Sequence, residues 1–264
     1  MNAHTSPGRI AFQGIRVRFS SSTGQDVLVM DDFDLEIPAG QFVAIVGPSG
    51  CGKSTLLRVL SGLVRADAGT ALIDGRSAEQ TAERIGFMFQ RDTLLPWASV
   101  RDNIAIGLEL ARVPAAKANE RIRELVAFLK LAGFEKHMPH QLSGGMRQRV
   151  SLGRLLAYDP DIFLMDEPFG ALDSQTKAAM GKELLRIWEQ HQRTVLFVTH
   201  DIEEAVTLAD RVIVLSPRPG RIRLDLPIDL PRPRDPRLLR KDAVYIDYVD
   251  RIWREIDAGE AVRS

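Results

Sequence analysis

Between an apolar run and an amphipathic one stands a nine-residue stretch, Gly47, Pro48, Ser49, Gly50, Cys51, Gly52, Lys53, Ser54 and Thr55, that fits G-x-x-x-x-G-K-[ST]. Upstream, Phe42-Val-Ala-Ile-Val46 is short, apolar and largely β-branched, the composition of a strand buried on both faces of a parallel sheet. Downstream, residues 54–63 place Leu56, Leu57, Leu60 and Leu63 at helical spacing, with Gly62 near the end. Strand, glycine-rich turn and helix in this order confine the chain to an α/β architecture. The glycines let successive backbone N–H groups point inward at phosphate oxygens, and the helix N-terminus adds partial positive charge. Lys53 is expected to reach the β- and γ-phosphates of a nucleotide and Ser54 to offer its hydroxyl to Mg²⁺. Cys51, near the same helix start, is in a setting that favours its thiolate.

The rest of the chain supplies further strand ends. Residues 10–19 alternate as a strand, with Ile15, Val17 and Phe19 on one face. Phe19 precedes a Ser-rich stretch, 20–24, so its ring either stacks on a base at the mouth of the site or joins the core. A short strand is expected at 35–37, others at 71–75 and 84–89. The latter ends in Gln90, where ligands bind in an open α/β sheet. From Val100 to about Lys136 the pattern is helical, with Ile104, Leu108 and Ala111 on one segment and Ile122, Leu125 and Leu129 on the next. Ser143 can cap a helix opening with Gly144 and Gly145, a second anion-binding place.

A strand at 161–165 ends in Asp166 and Glu167. Asp166 fits a carboxylate that holds Mg²⁺, and Glu167 is placed to accept a proton from an attacking water. After an amphipathic helix reaching about Glu189, the strand 195–199 ends at His200, which can contact a γ-phosphate. A helix at 202–209 and a strand at 211–215 complete the alternation. The Pro- and Arg-rich residues from 217 onward read as a linker or edge segment. A final helix is expected over 237–257, with Leu238, Tyr245, Val249, Ile252 and Ile256 on one face.

Composition sets the partners. Lys+Arg and Asp+Glu both number 35, so no net field favours nucleic acid or an anionic surface. One cysteine excludes a disulfide within the chain and fits a reducing compartment. Residues 1–10 lack the apolar core of a signal peptide, and no apolar run approaches the ~18 residues of a membrane span. If a membrane matters, another chain crosses it.

Together these residues resemble the ATP-binding subunit of an ABC transporter, over about Phe19 to Leu215. Gly47 to Thr55 resembles Walker A, Gln90 the Q-loop glutamine, Leu142-Ser-Gly-Gly-Met146 the signature and Ile162 to Asp166 Walker B. Glu167 matches the catalytic glutamate, Ala171-Leu-Asp173 the D-loop and His200 the switch histidine. Met146 stands where the family most often has glutamine, and Phe19 where it most often has tyrosine; Phe still stacks, without a hydroxyl.

The resemblance implies a P-loop NTPase core with a mostly parallel sheet, an N-terminal antiparallel β part and a helical insertion subdomain. Its divisions fall at 9–90, 91–157, 158–216 and a 217–264 tail. ATP would be held by Phe19, residues 47–55 and Ser143, Gly144 and Gly145. Ser54, Gln90 and Asp166 would hold Mg²⁺, with Lys53, Gln90, Glu167 and His200 in catalysis. Two such subunits, identical or homologous, would sandwich two ATP molecules, the signature of one completing the site around Lys53 of the other. Leu94-Leu-Pro-Trp97 and Asp229-Leu-Pro-Arg-Pro-Arg-Asp235 are similar to the branch that energises import of nitrate, sulfonates or taurine. Permease subunits and a solute-binding protein would be partners at the cytoplasmic face of the inner membrane. Trp97, on an irregular loop with Pro96, is either core of the insertion or an anchor for the permease. A soluble ABC ATPase usually carries two cassettes or a long coiled coil, and a small-molecule P-loop kinase would need neither 142–146 nor His200.

Overall fold

A computed structural model describes residues 8–20, 26–170 and 172–261; most of the Ser-rich 20–24 stretch, Ala171 of the expected D-loop and both chain ends lie outside the described residues. The chain builds two sheets. In the first, β1 (Ile10–Ser20) pairs antiparallel with β2 (Asp26–Ile37) on one edge. On its other edge it pairs with β4 (Ala68–Ile73), which continues into the short β5 (Arg76–Ser77). β2 is far longer than the expected strand at 35–37: its outer half carries a further apolar run, Val27 to Met30, and pairs with β1 along its length.

β1 also departs from simple alternation. Ile10 and Phe12 are buried, the register shifts around Gly14 (φ 58°), and Ile15 and Val17 are then the buried pair. A bulge adds one residue and so reverses which parity faces the core. Two further shifts follow, at Ile15/Val17 and Val17/Arg18, and Phe19 beyond them is 42% exposed, so it does not share the buried face of Ile15 and Val17.

The second sheet has the order β10-β9-β3-β8-β7-β6. β3 (Phe42–Val46) lies at its middle, between β8 (Thr194–Val198) and β9 (Arg211–Leu215), and β7 (Ile162–Asp166) and β6 (Ile85–Met88) follow beyond β8, all parallel. Every residue of β3, β7 and β8 is buried, as continuous apolar strands of a sheet covered on both sides require. The alternation within β3 feeds two cores. Val43 and Ile45 pack with the antiparallel sheet and α1 (Lys53–Leu60), while Phe42, Ala44 and Val46 pack with the helices on the opposite face. α1 stops at Leu60, earlier than the apolar spacing suggests: Gly62 takes φ 75° and Leu63 is exposed.

A single turn, α2 (Ala78–Thr81), precedes β6. Between β6 and β7 run α3 (Val100–Leu110), α4 (Ala115–Phe128) and α5 (Gly144–Tyr158). Ile104, Leu108, Ile122, Leu125 and Leu129 are buried and join the sheet's helical-side core. α6 (Ser174–His191) and α7 (Ile202–Leu208) connect the strands that follow.

The Pro- and Arg-rich tail is ordered. β10 (Ile222–Pro227) closes the sheet edge antiparallel to β9. Buried Arg234 donates to the carbonyls of Val206, Ala209, Ile228 and Leu230, so it holds the tail against the C-terminal end of α7. Carbonyls at a helix C-terminus suit a cation, yet burial still lowers the Arg234 pKa to about 10. After α8 (Pro236–Leu239), α9 (Ala243–Ala261) packs Tyr245 and Ile252 into the core beside α7. The expected helix from residue 237 is thus two helices, and Leu238 points to solvent. Among the described residues, no helix is long and apolar enough to cross a membrane.

Candidate active site

The carboxyl ends of β3, β6, β7 and β8 meet along one edge of the parallel sheet. From β3 the loop 47–52 turns into α1 with Gly47, Gly50 and Gly52 at φ 148°, 75° and 107°. All three take positive φ, where a side chain would be strained. Gly52 caps α1 with no side-chain bond to the first turn, so the helix N–H groups are left for an anion. Lys53 is buried, its Nζ donating to the carbonyls of Gly47 at 2.7 Å and Pro48 at 2.9 Å, which folds the ammonium over the loop. Ser54 Oγ donates to Asp166 Oδ1 at 2.7 Å. Burial pushes the Asp166 carboxyl up, and the Ser54 hydrogen bond opposes the rise. A divalent cation at this pair would reverse that penalty.

Glu167, the residue after β7, takes φ 47°, and its N–H donates to Val198 O at 2.9 Å. Its carboxylate has other partners than that of Asp166. Two residues from neighbouring strand ends meet one of its oxygens. Gln90 Nε2 donates to Glu167 Oε2 at 2.9 Å, and His200 Nδ1 lies 3.3 Å from the same atom. Gln90 follows β6 and His200 follows β8, the two strands that flank β7, so the sheet order itself brings the three together.

These groups line one cavity of about 590 Å³, with Phe19 at its rim and Lys53 and Ser54 at its base. The volume is within the ~300–1,000 Å³ usual for small-ligand sites. Ser49, Gly50, Gly52 and Thr55 of the loop also line it. Cys51 does not: it is buried under the loop, and burial pushes its thiol pKa up against the pull of Lys53. The helix-start expectation of a thiolate is therefore overturned, since desolvation outweighs the favourable charges.

Ser143 caps α5, its Oγ accepting from Met146 N at 3.3 Å. Ser143, Gly144 and Gly145 lie outside the cavity around Lys53 within this chain. Leu94 is buried whereas Trp97 is 73% exposed, so Trp97 is not core of the helical segment. Among the described residues, no group of three or more His, Cys, Asp and Glu side chains gathers as a metal cluster. One hydroxyl and one carboxylate beside a phosphate site are nonetheless enough for Mg²⁺, which keeps waters and phosphate oxygens as its other ligands. Sequence reasoning missed Arg218, which also lines the cavity. Nothing local distinguishes it from the tail's other arginines.

A phosphate loop, a buried carboxylate paired with its serine and a carboxylate held by Gln and His define an α/β nucleotide-binding protein of the P-loop class. Residues 30–170 match the ABC transporter family. The chain is 45% identical to an uncharacterized ABC transporter ATP-binding protein of Methanocaldococcus jannaschii, covering 87% of this chain and 84% of that protein. It is 41% identical to the aliphatic sulfonates import ATP-binding protein SsuB of Bacillus cereus (85% and 88% covered). It is 42% identical to the taurine import ATP-binding protein TauB of Rhizobium johnstonii (94% and 96%). A solved ABC transporter cassette, described as dimeric, superimposes with a TM-score of 0.76 at 30% identity, over 84% of this chain and 99% of that one. The same cassette in a post-hydrolysis state, bound to ADP and Pi, gives 0.76 at 29%, with the same coverage. The chain belongs to the ABC transporter family, as one of its ATP-binding proteins.

Proposed function

We propose that this protein is the ATP-hydrolysing subunit that energises an importer for a small solute of the sulfonate, taurine or nitrate kind. The observation that carries the reading is the convergence of Gln90 and His200 on one oxygen of Glu167, beside Lys53 and the Ser54–Asp166 pair. The names of the relatives, an aliphatic sulfonates import ATP-binding protein and a taurine import ATP-binding protein, support the solute class.

Hydrolysis needs a water oxygen to bond to the γ-phosphorus while the bond to the β–γ bridging oxygen breaks. Glu167 orients that water and takes its proton, held in place by Gln90 and His200. Lys53 leaves the carbonyls of Gly47 and Pro48 for the β- and γ-phosphate oxygens, where its charge offsets theirs. The loop N–H groups hold the β-phosphate, Phe19 stacks on the adenine, and His200 reaches the γ-phosphate. Ser54, Asp166 and Gln90 would hold Mg²⁺, which supplies Lewis-acid neutralisation of the phosphate charge when bound.

A second copy, or a homologous subunit, supplies Ser143, Gly144 and Gly145 to the cavity of the first. Two observations favour this: the α5 start lies outside its own chain's cavity, and the solved relative is a dimer. Residues 91–157 act as the helical subdomain that carries this start, between the core segments 9–90 and 158–216, with 217–264 as the tail. Trp97 docks on a permease, which places the protein peripherally at the cytoplasmic face of the membrane, with a solute-binding protein as indirect partner.

Glu167→Gln should bind MgATP and accumulate as an ATP-bound dimer, with phosphate release lowered by about 10²-fold or more. Lys53→Ala should lose binding and turnover together. Near wild-type phosphate release by Glu167→Gln would remove Glu167 from the mechanism. Transfer of phosphate to a metabolite in place of water would make the protein a kinase.

A further inference from the structure

The turn after β9 is folded back onto the phosphate loop. Gly220 N donates to Val29 O at 2.8 Å, and Ser216 Oγ accepts from Arg221 N at 3.0 Å while lying 3.0 Å from Pro219 O. A Cβ at Gly220 would stand 2.2 Å from Cys51 O, so the turn touches the backbone of the loop itself. From this anchored turn Arg218 reaches across the loop, and its Nε donates to Gly50 O at 2.6 Å. The guanidinium lies so close that a Cβ on Gly50 would meet its Nη2 at 2.4 Å.

The tail's neighbouring arginines are committed elsewhere. Arg211 pairs with Asp225, Arg221 with Asp31, Arg223 with Glu255 and Arg232 with Asp210, while Arg234 binds carbonyls. Arg218 forms no ion pair among the described residues and lines the same cavity as Lys53 and Phe19. One of its five N–H donors is used on Gly50; the others remain on a cation held at the wall of an anion-binding cavity. We infer that Arg218 binds the nucleotide, donating from its terminal nitrogens to the phosphate chain, and so makes the tail part of the nucleotide site. A guanidinium matches phosphate oxygens in geometry as well as charge, and the Gly50 bond removes much of the entropy it would otherwise lose.

The inference rests on the ATP-binding reading above, and the test separates the two. MgATP and MgADP affinities are measured by titration calorimetry for the wild type, Arg218→Ala, Arg218→Gln and Arg218→Lys at low and high salt, with the melting temperature of each nucleotide-free protein. Arg218→Ala should weaken both nucleotides about five- to tenfold at low salt, less at high salt, since the group is solvent-accessible and screened. Arg218→Lys should recover part of the loss, and the nucleotide-free melting temperatures should stay together. Affinities within twofold of wild type in Arg218→Ala would overturn the assignment. So would wild-type affinity in Arg218→Gln, which keeps a donor for Gly50 O but no charge. A wild type that binds no MgATP would instead sink the nucleotide reading itself, and Arg218 with it.

Discussion

Replacing Glu204 by Gln should abolish a pH dependence of stability that this one side chain creates. Glu204 lies in α7, its carboxylate accepting from Thr199 Oγ1 beside a small cavity between α6, α7 and α9. Burial pushes its pKa from the ordinary 4.5 up to about 7; the Thr199 hydrogen bond and Lys177 oppose the rise, whereas Asp201 and Glu167 add to it. A carboxyl whose folded value is raised holds a proton in the folded chain that the unfolded chain has already released. Its stabilising share is therefore whole below pH 4.5 and is lost as pH climbs toward 7. At 1.36 kcal/mol per decade the full loss is about 3 kcal/mol. Most of it falls between pH 4.5 and 7. For a chain of this size that is about 5–10 °C in melting temperature. Gln mimics the protonated acid and its carbonyl still accepts from Thr199, so Glu204→Gln should match the wild type near pH 4 and exceed it by that amount at pH 8. The assay is a melting series across this range for both proteins, because other titrating groups cancel in the difference. Parallel curves would refute the argument, and would mean that Glu204 ionises freely in the folded chain.

Two further outcomes follow from exposure. Trp97→Ala should leave the melting temperature of the isolated protein unchanged, because the ring is 73% exposed, while removing an interface contact worth about 2 kcal/mol or more and with it co-purification of the permease. A drop of several degrees with permease binding intact would return Trp97 to the core. Cys51, buried and with its thiol pKa raised, should react with a maleimide at pH 7 at least about tenfold more slowly than a free thiol, and more slowly still with MgATP bound; a rate equal to that of glutathione would contradict the burial.

Much of the site is local in origin and so was legible in the sequence. The phosphate loop is contiguous, and the strands that carry Asp166, Glu167 and His200 are continuous apolar runs that only a sheet covered on both faces can use. A sequence can also place Gln90, Glu167 and His200 at strand ends. That all three meet at one oxygen depends on β6, β7 and β8 being neighbours, a matter of strand order that no local pattern encodes. The features decided by tertiary structure share this cause. Phe19, beyond three register shifts against β2, is exposed at the cavity and not buried with Ile15 and Val17. Cys51 keeps its proton because chain from other parts of the fold buries it, an effect larger than the helix terminus beside it. The tail is ordered because Arg234 finds carbonyls on α7 and β10 finds an open edge on β9. Arg218, 168 residues from Gly50 along the chain, reaches the phosphate loop only because that edge pairing brings the turn back over it. Motif and periodicity report what a residue can do within a turn or a strand; charge pairing, desolvation and register are set by distant segments, and these appear only when the chain has closed on itself.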